Sequence, residues 1–150
     1  MELQPAELAE NEYQRACKAL ASGKVLAALS LLESALRQYD NPQWHSRLGF
    51  CMAKERGQFT RGLELCRAAV TLFPDSSDHY YYYGRVLLLA SRKAEAIQVL
   101  RQGLCCGDDE EIRQLLDELG TRKSPVIGWL GRDCSLNRFL GMLLARVGLR

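Results

Sequence analysis

The sequence repeats itself at an interval of 34 residues, and this period restricts the folds open to the chain more than any other feature. Small or apolar residues recur at four positions of the interval in three successive copies. The four series are Gly23, Gly57 and Ser91; Ala28, Gly62 and Ala96; Ala35, Ala69 and Gly103; and Leu32, Cys66 and Leu100. A fixed period of this size is the signature of repeat architectures, in which each unit buries its apolar face against its neighbours. The chain is therefore predicted to stack similar units along one axis.

Each unit is predicted to be a pair of helices. In residues 25–32, apolar side chains dominate every helical face, as expected of a helix that packs on several sides. Ala28 and Ala35 are seven residues apart, two turns along one face, and small residues there let a neighbouring helix approach closely. Gly23 and Gly57 lie between apolar segments, where a helix end tolerates a left-handed residue. The pattern thus indicates helix, turn and helix in every copy.

A 34-residue period with these residue types resembles the tetratricopeptide repeat. The shared features are an aromatic residue, a large–small pair, a later alanine, a large residue and a second small residue. They are carried by the run 79–87, Ala94, Ala96, Leu100 and Gly103 in the third copy; by Leu48, Gly49, Gly57, Phe59, Gly62, Cys66, Ala69 and Pro74 in the second; and by Ala16, Gly23, Ala28, Leu32, Ala35 and Pro42 in the first. The resemblance implies an all-α, right-handed α-α superhelix of about three helix pairs.

The predicted organisation is a repeat domain over residues 1–120 and a tail over 121–150. The copies span about 9–42, 43–76 and 77–110, and an acidic segment then opens a capping helix, 111–119, that Gly120 ends. The first copy departs from the family at Glu12, where a large apolar residue is usual. The second copy slips by one residue, since Gly49 lies 35 residues before Gly84. Positions in its first helix are therefore assigned to within one residue.

The tail differs from the repeats in charge and pattern. It carries six basic residues and one acid, a net charge of +5, whereas the first 120 residues carry −3. Apolar residues fall on one face of a predicted amphipathic helix over residues 136–147. They are Leu136, Phe139, Leu140, Leu143, Leu144 and Val147. Three interpretations remain open: a helix docked on the repeats, attachment to an anionic membrane surface, or docking to another protein chain.

Composition excludes several functional classes. The formal net charge of +2 gives no general case for nucleic-acid binding. The acidic start of the chain has no apolar core, and no apolar run approaches the length of a bilayer span, so we expect a cytoplasmic protein. The six cysteines contain no Cys-x-x-Cys pair, which favours reduced thiols over a disulfide framework or a zinc site.

No catalytic or metal-binding pattern is evident. Gly-x-Gly-x-x-Gly, Walker and His-Glu-x-x-His motifs are absent from the sequence. His45 and His79 are 34 residues apart but lack further ligands, so each is interpreted as a polar residue at a helix start. The segment 75–79 is attributed to turn and N-cap chemistry after Pro74. We therefore predict no enzymatic activity, no cofactor and no metal.

The resemblance also implies a binding surface, since the first helices of tetratricopeptide repeats line a concave groove for peptides or helices. Four consecutive tyrosines, residues 80–83, point around their whole helix and cannot share one role. The resemblance places Tyr80 and Tyr83 in packing and Tyr81 on the concave side. The groove residues carried over are Tyr13, Cys17, Trp44, Arg47, Cys51, Asp78, Tyr81, Arg85 and Leu88. For Trp44, Arg47 and Cys51, the neighbours one position earlier are the alternative.

One subclass of the family grips the C-terminal carboxylate of chaperones with Lys and Asn. The corresponding positions here are Tyr13, Cys17, Phe50 or Cys51, Asp78 and Tyr82, none of which is Lys or Asn. The carboxylate-clamp role is therefore disfavoured. The predicted function is non-catalytic protein binding, as a small scaffold, adaptor or chaperone. The alternative is a membrane-peripheral assembly factor tethered through the tail.

Overall fold

A computed structural model describes residues 4–120, and the regular structure in this range is entirely helical, with no β-strand. The helices in that range are α1 (Pro5–Ala21), α2 (Val25–Gln38), a 3₁₀ turn (Pro42–Trp44), α3 (His45–Arg56), α4 (Phe59–Leu72), α5 (Ser77–Leu89), α6 (Lys93–Cys106) and α7 (Glu110–Glu118). The predicted all-α repeat architecture is confirmed. The predicted helix over residues 136–147 lies outside the described residues.

The turn inside each helix pair is set by one residue of the 34-residue series. Gly23, Gly57 and Ser91 have φ angles of 71°, 64° and 60°, all in the left-handed region. A left-handed residue ends a helix because it turns the chain away from the helical path. The expectation for Gly23 and Gly57 is confirmed, and Ser91 adopts the same conformation although it has a side chain. The three turns are therefore built alike.

The helices stack in chain order. α1 packs on α2, α3 on α4 and α5 on α6, while α3 and α5 also pack against the preceding pair. At the centre of the stack, a Cβ added to Gly62 would lie 2.6 Å from the Gly49 carbonyl oxygen. The backbones of α3 and α4 thus approach to a distance that only glycine permits, as the small-residue series predicts.

Both ends of the described stack carry helix-capping contacts. The Gln4 amide donates to the Glu7 carboxylate over 3.2 Å in a capping box at the start of α1. Glu12, the departure from the family pattern, lies half-buried in α1 and accepts a hydrogen bond from Gln38 of α2 over 2.9 Å. At the other end, the Asp109 carboxylate accepts from the Ile112 amide over 3.1 Å and caps α7.

None of the helices in the described range is long and apolar enough to cross a membrane.

Candidate functional site

The first helices of the three pairs share a set of aromatic and charged side chains that contact one another. We call this set the first-helix cluster: Tyr13, Trp44, Arg47, Phe50, Asp78, Tyr81, Tyr82 and Arg85. Of the predicted groove residues, Tyr13 and Cys17 lie on α1, Arg47 and Cys51 on α3, and Asp78, Tyr81, Arg85 and Leu88 on α5, while Trp44 lies in the 3₁₀ turn before α3.

Arg47 joins all three first helices. Its Nη1 donates to the Tyr13 hydroxyl over 2.7 Å, and its Nη2 donates to Asp78 Oδ1 over 2.8 Å. The guanidinium carbon also lies 5.6 Å from the centre of the Tyr13 ring and 5.1 Å from that of Tyr82. Only 19% of the Arg47 side chain is exposed. One side chain thus ties α1, α3 and α5 together across their shared surface.

Burial shifts the pKa values of Arg47 and of the groups that contact it. Burial by itself would lower the pKa of Arg47, but the combined effects of neighbouring groups, of which Asp78 is the largest, outweigh burial and the pKa is raised. Burial raises the pKa of Asp78 against the opposing effect of Arg47. Burial also raises the pKa of Tyr82 to about 12 and that of Tyr13 above its ordinary value. At neutral pH the tie therefore consists of one ion pair among neutral phenols.

Trp44 is buried beneath the first-helix cluster and packs against Tyr13. Its ring stacks on that of Tyr13 with 4.5 Å between centres and 10° between planes, and only 3% of the residue is exposed. Cys51 is fully buried, and burial raises the pKa of its thiol to about 12. Trp44 and Cys51, predicted to line the groove, are therefore core residues, whereas Tyr13, Cys17, Tyr81, Arg85 and Leu88 are half-buried.

Arg85 lies among rings at the α5 side of the cluster. Its guanidinium carbon is 3.9 Å from the centre of the Phe50 ring and 5.3 Å from that of Tyr81. Its Nη1 donates to the Tyr81 hydroxyl over 3.3 Å. The Phe50 and Tyr82 rings are 5.6 Å apart and connect this part of the cluster to the Arg47 tie.

Tyr82 is missing from the predicted groove set, and Phe50 belongs to it only as the alternative one position before Cys51. Tyr82 is 7% exposed and packs against α3. Tyr83 is half-buried and packs against the core as expected, and its hydroxyl accepts a hydrogen bond from Arg67 over 3.4 Å. Tyr80 is buried, in agreement with the expectation. A usable signal exists in the sequence, since Phe50 follows Arg47 by three residues and Tyr82 precedes Arg85 by three, which places each pair on one helical face.

The two histidines do not face each other. His79 is buried and its Nδ1 lies 2.8 Å from the Ser46 hydroxyl, while His45 lies 2.7 Å from Asp40. The described residues contain no group of three side chains suited to hold a metal ion.

At the start of α5, the expected N-cap chemistry is wrong in one detail, since the Ser76 side chain makes no capping hydrogen bond. Ser77 instead donates to Asp109 over 2.9 Å and links α5 to the start of α7.

The cysteines of the described range are free thiols, and Cys134 lies outside it. Burial raises the pKa of Cys66 as well as that of Cys51, so both are uncharged packing groups. Cys105 and Cys106 are exposed, and the Cys106 thiol donates to the Pro74 carbonyl over 3.2 Å. Burial also raises the pKa of Cys106, so the thiol form predominates there.

Comparison with known proteins agrees with this architecture. Residues 50–110 match the tetratricopeptide repeat family model. Among solved structures, the chain is similar to the tetratricopeptide repeat domain of Sgt2 from Aspergillus fumigatus, with 16% sequence identity and a TM-score of 0.56 over 87% of this chain and 93% of that chain. No curated protein sequence matches the chain. Residues 50–110 thus match the tetratricopeptide repeat family, and the three stacked helix pairs have the fold of a tetratricopeptide repeat domain.

Proposed function

We propose that the chain is a non-catalytic protein-binding module, a cytoplasmic scaffold, adaptor or chaperone that holds a peptide or helix of another protein against the first-helix cluster. The observation that carries the proposal is the arrangement around Arg47. Its ion pair with Asp78 and its hydrogen bond to Tyr13 link α3 to α5 and α1, while Tyr13, Tyr81 and Arg85 lie half-buried.

The chemistry of this surface suits recognition. Tyr13, Tyr81 and Arg85 are half-buried, and tyrosine and arginine are enriched among residues that dominate binding energy. Because Arg47 already fixes the spacing of α1, α3 and α5, little conformational entropy is lost when a partner binds. The carboxylate-clamp mode remains disfavoured, since none of its positions carries Lys or Asn.

Site-specific photo-crosslinking tests the proposal. A photoreactive phenylalanine analogue at Leu88, a predicted groove residue of α5, should cross-link a partner protein in an extract of the cells that make this chain. The same analogue at Leu72, an exposed position of the second helix α4, serves as the control. Alanine at Tyr81 and Arg85 together should then weaken capture of that partner while the helical circular dichroism is unchanged. Cross-linking from Leu72 with none from Leu88 would show that the binding surface is misassigned.

The sequence of the tail supports a second candidate, a membrane-peripheral assembly factor. The observation in its favour is the net charge of +5 over residues 121–150 together with the apolar stripe of residues 136–147. Co-sedimentation with anionic vesicles tests it, with neutral vesicles and a 1–120 truncation as controls. The tether requires that the full chain pellets with anionic vesicles and the truncation does not.

A further inference from the structure

The two arginines of the first-helix cluster differ in what balances their charge. Arg47 is paired with Asp78 at 2.8 Å. No carboxylate in residues 4–120 lies within ion-pair distance of Arg85, whose hydrogen-bond acceptor in that range is the neutral Tyr81 hydroxyl. Arg47 is thus a structural tie, whereas Arg85 brings a positive charge to the surface without a counter-ion from the described part of the chain.

The Arg85 guanidinium is held in place by its rings. The Arg85 guanidinium carbon lies 3.9 Å from the centre of the Phe50 ring and 5.3 Å from that of the Tyr81 ring. Aromatic contacts therefore cover the planar group, while its N–H bonds project in the plane. A guanidinium has five N–H donors, of which one reaches Tyr81. The remaining donors are available to an acceptor, and partial burial strengthens any such charge-assisted bond.

We propose that Arg85 receives an aspartate or glutamate side chain of the bound segment, so that partners carry an acidic residue beside apolar ones. The apolar neighbours follow from Phe50 and Tyr81, which flank the guanidinium. A single unbalanced cation matches a single carboxylate. The tail of this chain, with a net charge of +5, is the less complementary occupant, so a segment of a partner protein is preferred. This inference rests on the proposed function and specifies the partner class.

Peptide selection on the full chain tests the inference. A random twelve-residue library, displayed through its C-terminus so that only side-chain carboxylates are free, is selected on the wild type, Arg85→Gln and Arg85→Lys. Arg61→Gln is the matched control, since Arg61 is exposed on α4 and makes no ion pair in the described range. Circular dichroism and thermal melting of each variant verify folding. Selected peptides are resynthesised with a free or an amidated C-terminus for affinity measurement.

Wild type and Arg61→Gln should both enrich peptides with an acidic residue next to apolar ones, and amidation should not change their affinity. Arg85→Gln should bind those peptides about ten- to a hundred-fold more weakly and lose the acidic preference while keeping the apolar one. Arg85→Lys should retain part of the acidic preference and also covers the case in which Arg85→Gln fails to fold. An acidic preference that is absent from the wild type, unchanged in Arg85→Gln, or dependent on the free C-terminus overturns the inference.

The same selection separates this inference from the proposed function. Selected peptides carrying a photoreactive group are cross-linked to the protein, and the attachment site is mapped. Attachment at the first helices without an acidic preference overturns the role of Arg85 and leaves the groove intact. Attachment only at the second helices overturns both the groove and the inference.

Discussion

Ser91 occupies a backbone conformation that favours glycine. Its φ angle of 60° matches those of Gly23 and Gly57 at the equivalent positions of the preceding repeats. A left-handed residue with a Cβ costs about 1–2 kcal/mol, part of which glycine loses again through the entropy of the unfolded chain. Ser91→Gly should therefore raise the free energy of unfolding by about 0.5–1 kcal/mol, measured by urea denaturation. The reciprocal Gly57→Ser should lower it, and a loss of stability in Ser91→Gly would contradict this account of the turn.

His79 gives the fold a dependence on pH. Burial, reinforced by the positive charge of Arg47, lowers its pKa from the usual 6.5. The folded state therefore binds fewer protons than the unfolded state, and the contribution of His79 to stability is present above pH 6.5 and is lost as the pH falls through the folded pKa. His79→Gln should flatten the fall in unfolding free energy between about pH 7.5 and 5. His45→Gln is the control, and flattening in that variant instead would refute the assignment.

At the scale of elements, the closest contact is between α3 and α4. A Cβ at Gly62 would lie 2.6 Å from the Gly49 carbonyl oxygen, and a backbone atom cannot move aside as a side chain can. Gly62→Ala should therefore force the two helices apart and lower the unfolding free energy by about 1–3 kcal/mol. The other pairs tolerate a Cβ at this position, since Ala28 and Ala96 are its equivalents there.

The matched control for this contact is Gly107→Ala. A Cβ there would meet no atom within 4 Å, and its extended φ angle suits any residue. Its unfolding free energy should stay at or slightly above that of the wild type, because alanine reduces the entropy of the unfolded chain. Equal losses in the two variants would mean that the α3–α4 contact is looser than described.

At the scale of the molecule, the described core has two parts. The larger cluster of buried residues runs from Ala9 to Val86, and a smaller one around Leu100, Ile112 and Leu116 joins α6 to α7. In a stack of repeats, each unit is stabilised mainly by its neighbours. The two parts are therefore expected to open separately.

Ile112→Ala tests this division. Ile112 is fully buried, and its truncation should cost about 2–5 kcal/mol. Hydrogen exchange should lose protection in α6 and α7 first, with a smaller change in α1 to α4. Leu32→Ala, equally buried in the larger cluster, should show the reverse order. A uniform loss along the chain in both variants would indicate a single cooperative unit.

The sequence by itself determined the repeat unit. Turn residues at 23, 57 and 91 and small residues such as Gly62 act through local backbone conformation and close contact, which repeat with the 34-residue period. These features predicted the helical class and the pairing, whereas the groove on the first helices was implied by the resemblance to the tetratricopeptide repeat. These predictions do not depend on how each helix is rotated about its own axis.

Only the tertiary structure decided which side chains meet on that surface. The Arg47 contacts to Tyr13 and Asp78 span 34 and 31 residues, and the burial of Tyr82 rather than Tyr83 depends on how α5 is rotated against α3. One residue along a helix rotates a side chain by about 100°, so a slip of one position in the second copy is enough to exchange neighbours. Periodicity fixes the face of each helix, whereas the packing of adjacent repeats sets the rotation that pairs Arg47 with Asp78 and leaves Arg85 among rings.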